Sequence, residues 1–290
     1  MTHSRPKIRA LLDAASLAPR RDLGQNFVAD PNTVRKIADL AHVGPGDRVV
    51  EIGAGLGSLT LALAETGATV TAIEVDEGVI PLLREVVADV DNVKVVAGDA
   101  MRLDWDAVLA GHDRWVLVAN LPYNVATPLV CDLLDGVPAI ERMLVMVQRE
   151  AAERFAAAPR TAQYGAVSVK VAYWATARIV AHVPASVFVP RPNVESALVE
   201  ITRRTPPATE PTALFALVRT AFGQRRKMLR KSLAGVVDPE TFEAADVSPT
   251  SRPEELGVDD WCRLTEAHLA RPTVGDAELR RTTDGAPEES

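Results

Sequence analysis

A chain of 290 residues with 47% hydrophobic, 4% aromatic and 24% charged residues is long enough for one large domain, or for a large and a small one. A net charge of −7 excludes a protein that coats nucleic acid over its whole surface, while leaving room for a local basic patch. No apolar run is long enough to span a bilayer, and "MTHSRPKIRALLDAASLAPRR" lacks the uninterrupted apolar centre of a signal peptide, so a cytoplasmic protein with no membrane partner is expected.

Over the first two thirds, short β-rich apolar runs alternate with helical patterns. Strands are predicted over 48–52, 69–74, 93–96, 115–119 and 143–147, and helices over 31–41, 58–65, 78–87, 127–134 and 150–157. That alternation implies an α/β fold with a parallel sheet and crossover helices. Two later runs, 177–183 and 196–202, have no long helix between them and are expected to pair antiparallel at one edge of the sheet.

Around "RRTPPATEPT" (203–212) the composition shifts to Pro and Thr, which cannot continue a central strand. Helices are predicted beyond it, over 213–222, 225–236, 239–245 and 258–271. The expected organisation is an N-terminal extension (1–22), a sheet domain (23–204), a smaller all-helical domain (205–271) and a tail (272–290) whose Thr/Gly/Pro/Ser bias suggests disorder. Cys131 and Cys262 lie outside any CxxC and are expected as thiols in a reducing compartment. The five histidines, His3, His42, His112, His182 and His268, show no ligand spacing, so no metal is expected.

"VVEIGAGLGSLT" (49–60) places Gly53, Gly55 and Gly57 between a strand and a helix, where glycine lets the backbone turn sharply and approach a ligand. A dinucleotide site would want GxGxxG with a pyrophosphate on the helix N-terminus. The spacing here is GxGxG, with Glu51 just before it, and favours an adenosyl cofactor without phosphates. Glu74 ends the next strand about 20 residues on, suited to accepting from ribose hydroxyls, whereas Asp76 reads as a solvent-exposed turn carboxylate. Asp99 in "KVVAGDAMRLD" is placed to receive an adenine amine. Successive strand ends are where open α/β sheets bind ligands.

The fourth strand ends in "NLPYN" (120–124). An exocyclic amine of adenine is a poor nucleophile because its lone pair is delocalised into the ring. Two acceptors on its hydrogens, the Asn120 side-chain oxygen and the Leu121 carbonyl held extended by Pro122, would pull the nitrogen toward tetrahedral geometry. Tyr123 supplies a face for the base, a contact of roughly 1–3 kcal/mol. With a sulfonium methyl as electrophile the leaving group is neutral, so positioning does most of the work.

Taken in order, "LGQNFVAD", "EIGAGLGSLT", "AIEVD", "GDAMRLD", "NLPYNVATPL", "VMVQREAAERF", "YGAVSVKV", "VFVPRPNVESALV" and "AFGQRRKMLRKSL" resemble the rRNA adenine N(6)-dimethyltransferases over residues 23–269, most closely their bacterial small-subunit branch. The resemblance implies a Rossmann-like class I methyltransferase sheet, S-adenosylmethionine as donor, and dimethylation of two adjacent adenosines near the 3′ end of small-subunit rRNA, free or in a precursor particle. It implies cofactor contacts at Asn26, Val28, Gly53, Gly55, Glu74, Asp99 and Asn120, and base handling by Asn120, Leu121 and Tyr123, with Phe188 as a second aromatic face. The extension before Leu23 and the tail lie outside the resemblance and receive no function.

From Pro211 to Val237 there are six basic residues and no acidic one. Arg225, Arg226, Lys227, Arg230 and Lys231 would spread charge round much of one helix, and phosphate contacts of this kind position RNA without reading its sequence. A solvated helix face is the plainer alternative. Two other functions compete: a large-subunit rRNA methyltransferase of the antibiotic-resistance type, and a non-catalytic ribosome assembly factor. Nothing points to an obligate dimer, so a monomer is expected.

Overall fold

The computed structural model describes residues 2–20 and 22–271; the tail expected at 272–290 lies outside the described residues. The chain divides into two compact units, one of residues 2–157 and 174–206, the other of residues 158–173 and 207–271.

In the first unit, α1 (Arg5–Ala14), β1 (Phe27–Val28) and α2 (Pro31–Leu40) precede the alternating region. That region comprises β2 (Arg48–Ile52), α3 (Ser58–Glu65), β3 (Thr69–Glu74), α4 (Ile80–Val86), β4 (Val93–Ala97), α5 (Trp105–Val108), β5 (Trp115–Asn120), α6 (Ala126–Gly136), β6 (Ile140–Gln148) and α7 (Arg149–Phe155). After α8 (Ala166–Trp174) the chain returns through β7 (Ala175–Val183), β8 (Phe188–Val189) and β9 (Ser196–Arg203). The main sheet has seven strands in the order β4-β3-β2-β5-β6-β9-β7. Strands β2 to β6 are parallel, while β9 runs antiparallel to both β6 and β7. The antiparallel pair expected at one edge therefore forms, with β9 inside and β7 at the rim.

Local chemistry explains these elements. Val49 and Val50 of β2 are fully buried, as a central parallel strand covered on both faces requires. Helix α2 starts at Asp30, whose carboxylate accepts from the Thr33 N–H at 2.9 Å, and Pro31 follows where no intrahelical N–H is needed. Val34 and Ile37 of α2 and Leu63 of α3 pack in one core with Val49, Val70 and Val118 of the sheet. Arg203, expected at the start of a linker, instead ends β9 and donates to the carbonyls of Leu133, Leu134, Val137 and Ile140, closing the C-terminal end of α6.

Strand order reverses at β2, which lies between β3 and β5. The crevice outside the carboxyl ends of such strands is where an open α/β sheet takes a ligand.

The second unit is helical: α8, α9 (Pro211–Gly223), α10 (Leu229–Ser232), α11 (Pro239–Ala244) and α12 (Val258–Leu269). Residues 158–173, expected with the sheet, belong here. The Tyr164 hydroxyl donates to the Leu256 carbonyl at 2.8 Å and its ring meets Phe222 edge-on at 6.2 Å. The Tyr173 hydroxyl donates to the Thr209 carbonyl at 2.6 Å, and its ring meets Phe215 at 5.3 Å. The long helix expected over 225–236 shrinks to the four residues of α10. There the N–H groups of Leu229 and Arg230 bond the carbonyls of Ser251 and Pro249, at 2.8 and 3.0 Å, so they cannot serve a continuous helical ladder.

Candidate functional site

A pocket of about 890 Å³, solvent at its mouth included, opens at the carboxyl ends of β2, β3 and β5. Gly53 and Gly55 line it after β2, Glu74 at the end of β3, Asn120 at the end of β5, and Leu121 and Tyr123 after it; Asn26, Phe27 and Val28 close it from the segment before α2. Gly53 and Gly55 have φ of +74° and +55°, the left-handed region that favours glycine. A Cβ on Gly55 would stand 3.0 Å from the Phe27 ring, so this glycine also permits close packing of that wall.

Glu74 is nearly buried, and its carboxylate is oriented by three backbone donors: Gly55 N–H at 2.7 Å, and Val75 and Asp76 N–H at 2.9 Å each. Asp76 corrects the expectation of an exposed turn acid. It is 6% exposed, accepting from the Gln25 amide at 2.7 Å and the Gly78 N–H at 3.0 Å, and so pins the residue beside Asn26. Asp99 follows β4 but does not line this pocket; its carboxylate accepts from the Met101 N–H at 3.0 Å.

Glu51 lies at the pocket floor, 1% exposed, accepting from the Thr60 hydroxyl at 2.6 Å. Burial pushes its pKa up to about 8; the Thr60 hydrogen bond opposes the rise and the Glu74 charge adds to it.

Asn120 ends β5 with its side-chain nitrogen donating to the Asn26 carbonyl at 3.0 Å. The reverse amide orientation would set oxygen against oxygen, so this contact assigns the nitrogen to Asn26 and leaves Oδ1 as the acceptor. Leu121 is buried, its N–H donating to the Met146 carbonyl at 3.1 Å. Tyr123 is half-buried, and its hydroxyl shares a 2.7 Å hydrogen bond with that of Ser196 on β9. Burial pushes the Tyr123 hydroxyl up in pKa, against the Ser196 bond, and keeps it a neutral phenol.

Phe188 departs from the expected role. Strands β1 and β8 form a two-residue antiparallel ladder, Phe27 opposite Val189 and Val28 opposite Phe188. Alternation sends the two pairs to opposite faces. Phe27 and Val189 pack with α1, whereas Val28 and Phe188 join the main core with Val34 and Leu198. Phe188 is consequently 0% exposed and backs Val28 from inside the core; it does not line the pocket as a second face.

The basic residues also divide. Arg225 pairs with Glu254 at 2.7 Å and donates to the Ala162 carbonyl at 2.9 Å, so it holds the helical unit together. Arg226, Lys227, Arg230 and Lys231 are exposed.

Two pocket residues, His3 and Ile8, come from the segment assigned no function. Their signal was present: Ser4 and Pro6 as a helix start, then Ile8 and Leu12 at helical spacing. Neither Cys131 nor Cys262 is disulfide-bonded. Among the described residues, no group of three or more His, Cys, Asp or Glu side chains could hold a metal ion.

Among the described residues, the pocket lining includes Glu51 and Glu74 and neither lysine nor arginine. The Glu74 carboxylate without a cation beside it, set next to a glycine loop, suits a positively charged adenosyl ligand and would repel phosphates, while Glu51 with its raised pKa adds no charge near neutral pH. S-adenosylmethionine fits that description.

Comparison with known proteins agrees. The family model described as ribosomal RNA adenine dimethylase matches residues 17–268. Ribosomal RNA small subunit methyltransferase A of Cutibacterium acnes is 45% identical, over 93% of this chain and 95% of that protein. The protein of the same name from Kineococcus radiotolerans is 46% identical, over 89% of this chain and 88% of its own length. Among solved structures, a dimethyladenosine transferase from Plasmodium falciparum aligns with a TM-score of 0.70 at 25% identity, covering 81% of this chain and 94% of the other. The 23S rRNA methyltransferase ErmE aligns at 0.63 with 26% identity, covering 84% and 99%.

Proposed function

This chain belongs to the ribosomal RNA adenine dimethylase family, and from that premise we propose that it dimethylates two adjacent adenosines near the 3′ end of small-subunit rRNA. It is an S-adenosylmethionine-dependent rRNA adenine dimethyltransferase with a class I methyltransferase sheet. The observation that carries the residue assignment is the Asn120 amide, turned by the Asn26 carbonyl so that its oxygen is the acceptor.

The donor supplies a methyl group on a sulfonium, whose loss of that methyl leaves a neutral thioether. Around it, Asn26, Val28, Gly53 and Gly55 form the cradle and Glu74 receives the ribose hydroxyls; Asp99, just past β4 and outside that lining, is the acceptor assigned to the adenine amine. Asn120 Oδ1 and the Leu121 carbonyl accept from the target amine and aim its lone pair at the methyl. Tyr123 supplies a face for the flipped base, and the Ser196 bond fixes the position of the ring's hydroxyl end. Neutral acceptors suffice because the amine becomes acidic only once it has been alkylated, and its proton then passes to solvent.

Arg226, Lys227, Arg230 and Lys231 contact RNA phosphates. The enzyme acts as a cytoplasmic monomer on rRNA or on a small-subunit precursor particle. Among the described residues no helix is long and apolar enough to cross a membrane. The small-subunit target is favoured over the large-subunit one because relatives at 45–46% identity bear the small-subunit name, whereas ErmE stands at 26%.

The test supplies labelled donor with unmethylated small-subunit particles and, separately, with large-subunit RNA. Label on two neighbouring small-subunit adenosines is expected; label confined to the large-subunit RNA overturns the assignment.

A further inference from the structure

The His3 ring donates through Nε2 to the Leu56 carbonyl at 2.9 Å, and the His3 backbone N–H donates to the Ser58 hydroxyl at 2.9 Å. Both partners belong to the turn that carries the glycine loop into α3. His3 is 6% exposed, an unusual setting for an imidazole so near a chain terminus, and it lines the same pocket as Gly55, Glu74 and Asn120.

The helix behind it is anchored on three loops. Ile8 and Leu12 are buried against Leu56 and Val79, in a cluster that also takes Phe27. The Arg5 guanidinium donates to the Ser186 carbonyl at 2.7 Å, beside β8. A Cβ on Gly78 would meet Leu17 at 3.3 Å, so the chain beyond α1 lies against the turn after β3. Glycine loop, β3 turn and β1–β8 ladder are therefore tied by one segment, and the Phe27 ring is pressed toward Gly55 from the α1 side.

We propose that residues 2–17 form a working wall of the donor pocket, with His3 as a donor-positioning residue that fixes the 56–58 turn and excludes water from that side. Such a wall contributes to holding the donor, because closing the pocket on that side buries more of the ligand's surface and keeps water from competing for its polar contacts. It contributes little to the transfer step, whose acceptors lie on β5 and the residues after it. Burial lowers the pKa of His3 against the opposing pull of the Leu56 hydrogen bond, so the ring makes this contact as a neutral imidazole with the proton on Nε2. The inference extends beyond the choice of RNA target: it is read by donor binding, so it can fail while small-subunit methylation stands.

The experiment compares full-length His3→Ala, His3→Gln and Arg9→Ala by donor KM and kcat, and by the rise in Tm on adding S-adenosylhomocysteine. Arg9 is exposed on the same helix and serves as the control. His3→Ala should raise the donor KM by about 3- to 10-fold, the loss of the one buried hydrogen bond that the ring makes, with kcat within about twofold. It should also shrink the Tm rise given by S-adenosylhomocysteine, the demethylated product. The glutamine amide can donate to Leu56 as the imidazole does, so His3→Gln should recover most of the affinity, and Arg9→Ala should match the native protein. A His3→Ala protein that loses Tm but keeps its donor KM shows a merely structural residue and overturns the proposal. So does equal loss in Arg9→Ala, or failure of His3→Gln to recover donor affinity. If His3→Ala does not fold, the comparison of His3→Gln with Arg9→Ala decides by the same readouts.

Discussion

The side-chain nitrogen of Asn120 donates to the backbone carbonyl of Asn26 at 3.0 Å, across 94 positions of sequence. One hydrogen bond thus joins the segment before α2 to the end of β5, and decides which amide atom is presented as acceptor. A carboxylate at 120 could not make this contact, because both of its oxygens would face a carbonyl.

Asn120→Asp and Asn120→Ala are accordingly expected to lower kcat by at least about 100-fold, the scale for losing a preorganised polar contact at a reacting centre. Particle binding should stay within about threefold. Single-turnover methylation and filter binding on the same preparations separate the two effects. Parallel loss of binding and turnover would show Asn120 acting on RNA docking, and would leave the assembly-factor reading standing.

Tyr123 and Ser196 form a second pair, 73 positions apart, with their hydroxyl oxygens 2.7 Å from each other. Ser196→Ala frees the hydroxyl end of Tyr123 to shift and should reduce kcat/KM for RNA by about 3- to 10-fold, the worth of one hydrogen bond, with the donor KM unchanged. Tyr123→Phe should do the same, and the double variant should be no worse than either single one. Additive losses would mean the two side chains act independently.

Glu51 makes stability depend on pH. Its pKa is about 8 in the folded protein against an ordinary 4.5, so between those values the unfolded chain gives up a proton that the folded chain retains. Stability is therefore lost as pH rises through this window, and the loss is complete above it. Glu51→Gln keeps an acceptor for Thr60 and removes the loss. In donor-free protein the variant should melt close to the native enzyme at pH 5 and about 10 °C above it at pH 8.5, by calorimetry. A difference that does not grow with pH would show that Glu51 is not the titrating group.

The cations of the helical unit should separate by role. Replacing Arg226, Lys227, Arg230 and Lys231 together by glutamine should lower RNA affinity and reduce the slope of log affinity against log salt by about 3, with Tm nearly unchanged. Arg225→Gln should instead lower Tm, because Arg225 holds Glu254 and the Ala162 carbonyl. Measuring salt slope and melting on both proteins distinguishes the classes. A large Tm loss in the fourfold variant would assign those side chains to the fold.

Much of this architecture was legible from residue order alone, for reasons that are local. Apolar runs such as 48–52 and 69–74 became strands of those same bounds because a strand buried on both faces needs little besides continuous β-branched and aliphatic residues. The glycine loop was legible because left-handed backbone leaves a compositional mark, and "NLPYN" because proline and asparagine after an apolar run cannot extend a strand. What tertiary structure decided was pairing between distant segments. It turned the Asn120 amide with Asn26, took Phe188 out of the pocket through a two-residue ladder too short to leave a periodic signal, and buried Asp76 under Gln25. It likewise spent Arg225 on an ion pair, which charge counting cannot foresee, and brought His3 to the donor pocket. Residue type sets what a group can donate, accept or bury, whereas its partner is set by which loops the sheet order gathers at one edge.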